Sequence, residues 1–232
     1  MRPGRMPPST DVRGAAHRAV AHVRRARVVA ATQQVLREVP AETLDIAAVC
    51  AAAGVSRSAF YASFADCDEL LLAVFDDVTR QVAEAMSAAR AAQSSWLDGV
   101  RSALIELLGL LDQDPGLARF VVAGSLAGDG ELLARRARAL SCLADALDEG
   151  SPPAAAEPLP APFGAEAVVG AVVSILHSRL LEEPAPPLRP MCGSLMSVIA
   201  LSYLGVGAAR AELIVGACAD GHGTTVAASL CV

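Results

Sequence analysis

The chain of 232 residues contains no lysine and no asparagine, so its cationic side chains are arginines, with histidine in reserve. Aromatic residues make up only 3% of it, against 53% hydrophobic residues rich in alanine and leucine. Such a chain packs helices through small aliphatic side chains and is long enough to bury a sizeable core. The six cysteines (Cys50, Cys67, Cys142, Cys192, Cys218, Cys231) include no C-x-x-C pair. This argues against a disulfide framework or a zinc site and favours free thiols. A Gly-rich phosphate loop, G-x-S-x-G and H-E-x-x-H are all missing, and the four histidines are scattered. No enzyme activity, cofactor or metal centre is therefore expected.

Strand-like alternation does not persist anywhere, so the chain reads as all-α, with about nine to ten helices. Long apolar runs are scarce too. One uncharged stretch, Pro190 to Ala209, has the 20-residue length of a membrane span. It is interrupted by Pro190, three Gly and three Ser, and reads better as a buried interface helix. The basic N-terminus lacks an apolar h-region, so no signal peptide is expected and the location reads as cytoplasmic.

The net charge of −6 speaks against a nucleic-acid partner, but its distribution does not. Residues 1–64 hold nine Arg against four acids, and residues 65–232 hold ten Arg against 21 acids. A basic head on an acidic body is the asymmetry of a DNA-binding domain joined to a regulatory domain.

The residues from Leu44 to Leu70 carry the strongest local signal. They read as two short helices joined by Gly54-Val55-Ser56, followed by the start of a longer helix. Asp45 fits an N-cap, because its carboxylate can accept from free backbone N–H groups. Gly54 stands where a left-handed residue is needed. Ser56 caps the next helix, which buries Phe60 and Phe64, and Asp66 caps the one after. This is a helix-turn-helix, which presents the start of its second helix to the major groove. Arg57 and Ser58 are then the best base-edge readers, since Arg can donate twice to guanine. Tyr61, Ser63 and Ser56 suit phosphate, and Arg24, Arg25 and Arg27 on the preceding helix add cations.

The rest is helical with breakers. The spacing predicts helices over 95–112, 115–126, 130–148, 164–182, 188–204 and 206–218, with a Pro-rich loop at 149–163. The organisation expected is a flexible basic arm and helix extension (1–22), a three-helix DNA-binding domain (23–68), a helical bundle for ligand binding and dimerisation (69–218) and a tail (219–232).

In Ala53-Gly54-Val55-Ser56, Phe60-Tyr61, Phe64 and Glu69-Leu70-Leu71, the chain resembles the TetR family of transcriptional regulators. Tyr203-Leu204-Gly205, Ala208, Glu212-Leu213 and Asp114-Pro115-Gly116-Leu117-Ala118-Arg119 are similar to motifs of one branch of that family. Two positions depart from it: Pro40 replaces a usual Gly, and Cys67 replaces a usual Lys that reaches a phosphate. The resemblance implies a homodimer that binds a near-palindrome in double-stranded DNA, mostly as a repressor, and releases it when a small molecule binds. On that pattern a hydrophobic effector would meet Met86, Trp96, Phe120, Cys142 and His177. The dimer helix would be 164–182, where Ala167, Gly170, Ala171 and Ser174 let backbones approach, with Leu195 and Leu201 on its partner. Two other readings stay open: a thiol sensor acting through Cys67, and a helical binding protein whose DNA-binding head has degenerated.

Overall fold

A computed structural model of the chain describes residues 10–126, 130–152 and 164–219. The first nine residues of the expected arm, most of the Pro-rich loop and the tail from residue 220 lie outside the described residues. Among the described residues all regular structure is helical. The chain divides into two compact units, 1–77 and 78–232, and the division falls inside one continuous helix, later than the 68/69 boundary expected.

The first unit opens with α1 (Thr10–Leu36). The 3.6-residue spacing predicts one inward face of Val28, Val29, Thr32, Val35, Leu36 and Val39; Val28, Val29, Thr32 and Leu36 are buried together with Ala31, while Val35 and Val39 are half-buried. The buried Thr32 hydroxyl donates to the Val28 carbonyl at 2.8 Å, so no polar atom is stranded there. Pro40 ends the approach, and a 3-10 turn at Ala41–Thr43 leads to α2 (Ile46–Ala53), α3 (Arg57–Tyr61) and α4 (Cys67–Ala91). Phe60, Phe64, Leu70 and Val74 are almost wholly buried.

The second unit continues along α4 into α5 (Trp96–Gln113), α6 (Pro115–Val122), α7 (Gly130–Asp148), α8 (Ala165–Leu180), α9 (Cys192–Leu204) and α10 (Val206–Ala219). Leu104 and Leu108 of α5, Leu176 and Leu180 of α8, and Leu195 and Met196 of α9 belong to one apolar core. Ser95 caps α5 by accepting from the Asp98 N–H at 3.1 Å. Asp112 near the end of α5 accepts from the N–H groups of Leu188 and Arg189 at 2.7 and 3.0 Å, which ties the segment before α9 to the bundle.

The uncharged stretch around residue 200 breaks at Gly205, whose φ of +85° is open to glycine and strained for other residues. The resulting α9 has 13 residues, about 20 Å at 1.5 Å per residue, short of the roughly 30 Å of a bilayer core. Among the described residues no helix is long and apolar enough to cross a membrane.

After that break a buried ion pair ties α10 to α5. Arg101 on α5 meets Glu212 on α10 through both edges of its fork, Nε to Oε2 at 3.3 Å and Nη2 to Oε1 at 2.6 Å. Glu212 is only 4% exposed, and Arg101 also donates to Asp98. Removing one partner of a buried pair leaves the other charge uncompensated. Glu212→Ala is therefore expected to destabilise the protein by about 3 kcal/mol. Arg101→Met combined with Glu212→Leu should recover much of that loss. Urea denaturation midpoints of the three chains check this.

Candidate nucleic-acid interface

The site begins with the cap of α2. The Asp45 carboxylate accepts from the Ala47 N–H at 3.0 Å, answering one of the donors left free at a helix start. At the other end Gly54 is left-handed (φ 61°, ψ 39°). Its N–H donates to the Ala51 carbonyl at 3.2 Å, and the Val55 N–H donates to the Cys50 carbonyl at 3.0 Å. These two bonds make a Schellman ending, which turns the chain sharply at the one residue type that accepts the geometry without strain.

Ser56 then starts α3, its hydroxyl accepting from the Ala59 N–H at 3.2 Å and lying 3.0 Å from the Ser58 hydroxyl. Phe60 points inward against Phe64, with ring centroids 5.8 Å apart. That anchor leaves Ser56, Arg57, Ser58 and Tyr61 on the outer side, all exposed. The Arg57 guanidinium lies 5.9 Å from the Tyr61 ring centre, and its interaction with Tyr61 pushes its pKa above the ordinary arginine value. A cation, two hydroxyls and a phenol thus share one solvent-facing surface at the start of a short, capped helix. Every one of these groups can donate a hydrogen bond to a phosphate or a base edge.

Two expected contact residues are used differently. Arg25 donates to the Ser63 carbonyl at 2.5 Å and to Glu69 at 2.9 Å, and stacks 4.1 Å above the Phe64 ring. It is a clamp inside the unit rather than a cation held out for phosphate. Ser63 donates its hydroxyl proton to the Ala59 carbonyl at 3.2 Å, because α3 ends at Tyr61 and the next residues turn back on it. Arg24 is half-buried. Arg27 is exposed and donates to the Gly54 carbonyl at 3.1 Å, bracing the turn.

Glu69 was not singled out as a site residue by the sequence, although Asp66-x-x-Glu69 has the spacing of a reciprocal helix cap. Asp66 accepts from the Glu69 N–H at 2.8 Å, and Glu69 accepts from the Ala65 N–H at 2.8 Å as well as from Arg25. Between them Cys67 is half-buried, and burial, then Asp68 and Asp66, pushes its thiol pKa up. A thiol so disposed is a poor thiolate source, which counts against sensing through Cys67.

Of the expected pocket residues, Phe120 is buried, Met86, Trp96 and His177 are half-buried, and Cys142 is exposed on the outer face of α7. Cys142 therefore does not line the interior. The buried Nδ1 of His177 has no hydrogen-bond partner among the described residues. Trp96 donates to the Leu147 carbonyl at 3.0 Å and packs on Tyr203, with centroids 4.9 Å apart. Of the expected dimer residues, Ala167, Gly170, Ala171, Ser174 and Leu201 are exposed. Leu195 is 1% exposed inside the core of its own unit, so it cannot meet a second chain.

Residues 28–74 match the family model of the bacterial regulatory proteins of the tetR family. The first unit is a TetR-family domain. No curated protein matches the chain in sequence. In fold it is similar to the transcriptional regulator FadR from Bacillus subtilis, solved in complex with stearoyl-CoA. The two chains are 15% identical, the match covers 78% of this chain and 98% of that one, and the TM-score is 0.62. It is also similar to the fatty acid degradation regulator FadR from Bacillus halodurans, at 14% identity, 76% and 94% coverage and a TM-score of 0.64. A tetR-family regulatory protein from Rhodococcus RHA1 aligns at 16% identity, 78% and 96% coverage and a TM-score of 0.58. At these identities the likeness shows the TetR-type all-α fold across most of the chain.

Accepting from the Ala65 N–H and from Arg25 holds the Glu69 carboxyl below its usual pKa. Its contribution to stability is therefore present above the unfolded value, about 4.3, and is lost as pH falls through the lower folded value. The stability of the native chain should drop more steeply below about pH 5 than that of Glu69→Gln. Urea midpoints measured from pH 7 to pH 3 check it.

Proposed function

We propose that the chain is a DNA-binding transcriptional regulator that works as a homodimer on a near-palindromic operator and is released by a hydrophobic effector. The observation that carries this reading is the exposed row Ser56, Arg57, Ser58 and Tyr61 on a helix capped at its start and anchored by Phe60. A helix in this setting enters the major groove with its first turn on the base edges. Arg57 reads a guanine through two bonds, Tyr61 reaches the flanking phosphate, and Ser56 and Ser58 fix the approach.

Two copies give the reading its operator symmetry. The exposed small residues Ala167, Gly170 and Ala171 of α8 support a close helix contact between copies, and the exposed Leu201 of α9 is available to the same expected interface. Gly170 has nothing within 4 Å of the position a Cβ would take. Gly170→Arg should therefore fold normally and sediment as a monomer where the native chain sediments as a dimer.

The effector binds the second unit, whose core is aliphatic. FadR from Bacillus subtilis holds stearoyl-CoA, so a long-chain acyl compound is the first effector to try. To release DNA it must bind the DNA-incompetent state more tightly, by a coupling of roughly 1–3 kcal/mol. The alternative of a degenerate head is favoured by the absence of a cation at Cys67.

Fluorescence anisotropy with duplex DNA selected from a random pool separates the two. Arg57→Ala should weaken the selected duplex by about 1–3 kcal/mol and relax the preference at one base pair. Tyr61→Phe should weaken all duplexes alike. If no duplex is selected, or if binding ignores both substitutions, the head does not read DNA.

A further inference from the structure

Arg136 on α7 is half-buried, yet everything it binds among the described residues is neutral. Its Nη1 donates to the Val122 carbonyl at 2.8 Å, to the Ser125 hydroxyl at 3.0 Å and, at 3.4 Å, to the Val121 carbonyl. Ser125 is fully buried and donates in turn to Val121, so this nitrogen is locked at the end of α6. Among the described residues no carboxylate pairs with Arg136, and burial alone lowers its pKa. Its Nε and Nη2 have no partner among those residues. Those two nitrogens form the side-on fork that matches a carboxylate.

The same chain shows that fork in use. Arg101 directs Nε and Nη2 at the two oxygens of Glu212 while its Nη1 goes to Asp98. Arg136 repeats the arrangement with carbonyls in place of Asp98 and, among the described residues, with nothing in place of Glu212.

The positions one helical turn from Arg136 on α7 are apolar. Leu133 and Leu140 stand three before and four after Arg136, one helical turn to either side on the same strip of α7. Leu133 is 39% exposed and Leu126, next to Ser125, is 48% exposed. A cation with an open carboxylate fork, bordered by accessible leucines, suits a molecule with an anionic head and an aliphatic chain.

The geometry points to a binding site for a long-chain carboxylate at Arg136, with the carboxylate on Nε and Nη2 and the chain along Leu126 and Leu133. This deepens the effector reading above and rests on it only for its consequence, the release of DNA.

Calorimetric titration of the full chain with hexadecanoate, its methyl ester and acetate tests the site. Hexadecanoate should bind once per chain, and the ester and acetate should each bind at least about tenfold more weakly. Arg136→Lys keeps a donor for the α6 carbonyls but loses the fork, and should weaken hexadecanoate to the level of the ester. Leu133→Ser, at an exposed position, should weaken it while leaving the melting temperature unchanged. The site is overturned if hexadecanoate does not bind, or if it binds as tightly to a folded Arg136→Lys chain or as its methyl ester does. Binding that depends on Arg136 without releasing DNA would keep the site and reject the effector reading.

Discussion

A helix ends with carbonyl groups that have no partner within the helix, and buried ends need donors from elsewhere. In this chain arginine side chains from other elements supply many of them. Arg27 answers Gly54 at the end of α2 and Arg25 answers Ser63 after α3. Arg90 answers Ala146 and Glu149 at the end of α7, Arg119 answers Leu180 at the end of α8, and Arg136 answers Val122 at the end of α6. Trp96 does the same for Leu147. A core of alanine, leucine and valine packs well in many registers, so it specifies helix position weakly. A guanidinium aimed at one particular carbonyl specifies it strongly, and the positive charge also suits the negative end of the helix.

The C-terminal motif residues have physical duties of the same kind. The Tyr203 hydroxyl donates to Asp148, and burial, reinforced by that carboxylate, pushes its pKa well above the ordinary phenol range. Gly205 supplies the positive φ at which α9 gives way to α10. Glu212 then locks α10 to α5 through Arg101. One short motif thus fixes the end of α9, the break and the seat of α10. Such residues serve the fold whatever molecule the second unit binds.

This division explains what was legible in the sequence. The DNA-binding unit was largely readable because its signals are local: Asp45 and Ser56 as caps, Gly54 as the left-handed turn, Phe60 and Phe64 one turn apart. Helix limits in the second unit were readable near Pro115 and Gly205, while Ser95, placed inside the expected helix, is its cap. Side-chain direction on the apolar helices was not. α9 is uncharged and spreads apolar residues around all its sides, so no periodicity tells that Leu195 faces inward and Leu201 outward. Cys142 was misplaced for a related reason, since alanines on both faces of α7 blur its stripe. The inward turn of Arg25 was hidden because its partners, Ser63 and Glu69, lie 38 and 44 residues away.

The same bonding bears on how a head of this kind can hold DNA. Non-specific affinity comes chiefly from cations placed on phosphates, and it falls with salt as their number rises. Arg25 and Arg27 are engaged within the unit, and position 67 offers a thiol between carboxylates instead of an ammonium group. The outer face keeps Arg57, the hydroxyls and the free N–H groups of capped helices. Such a head gains less from bare charge and relies more on base-edge contacts, which act only on the right sequence. Weak single heads are useful on a symmetric operator when two are joined, because the second binds at the effective concentration set by the first. On the regulator reading, pairing two copies is then a condition of tight binding, and a shift in their spacing is enough to end it.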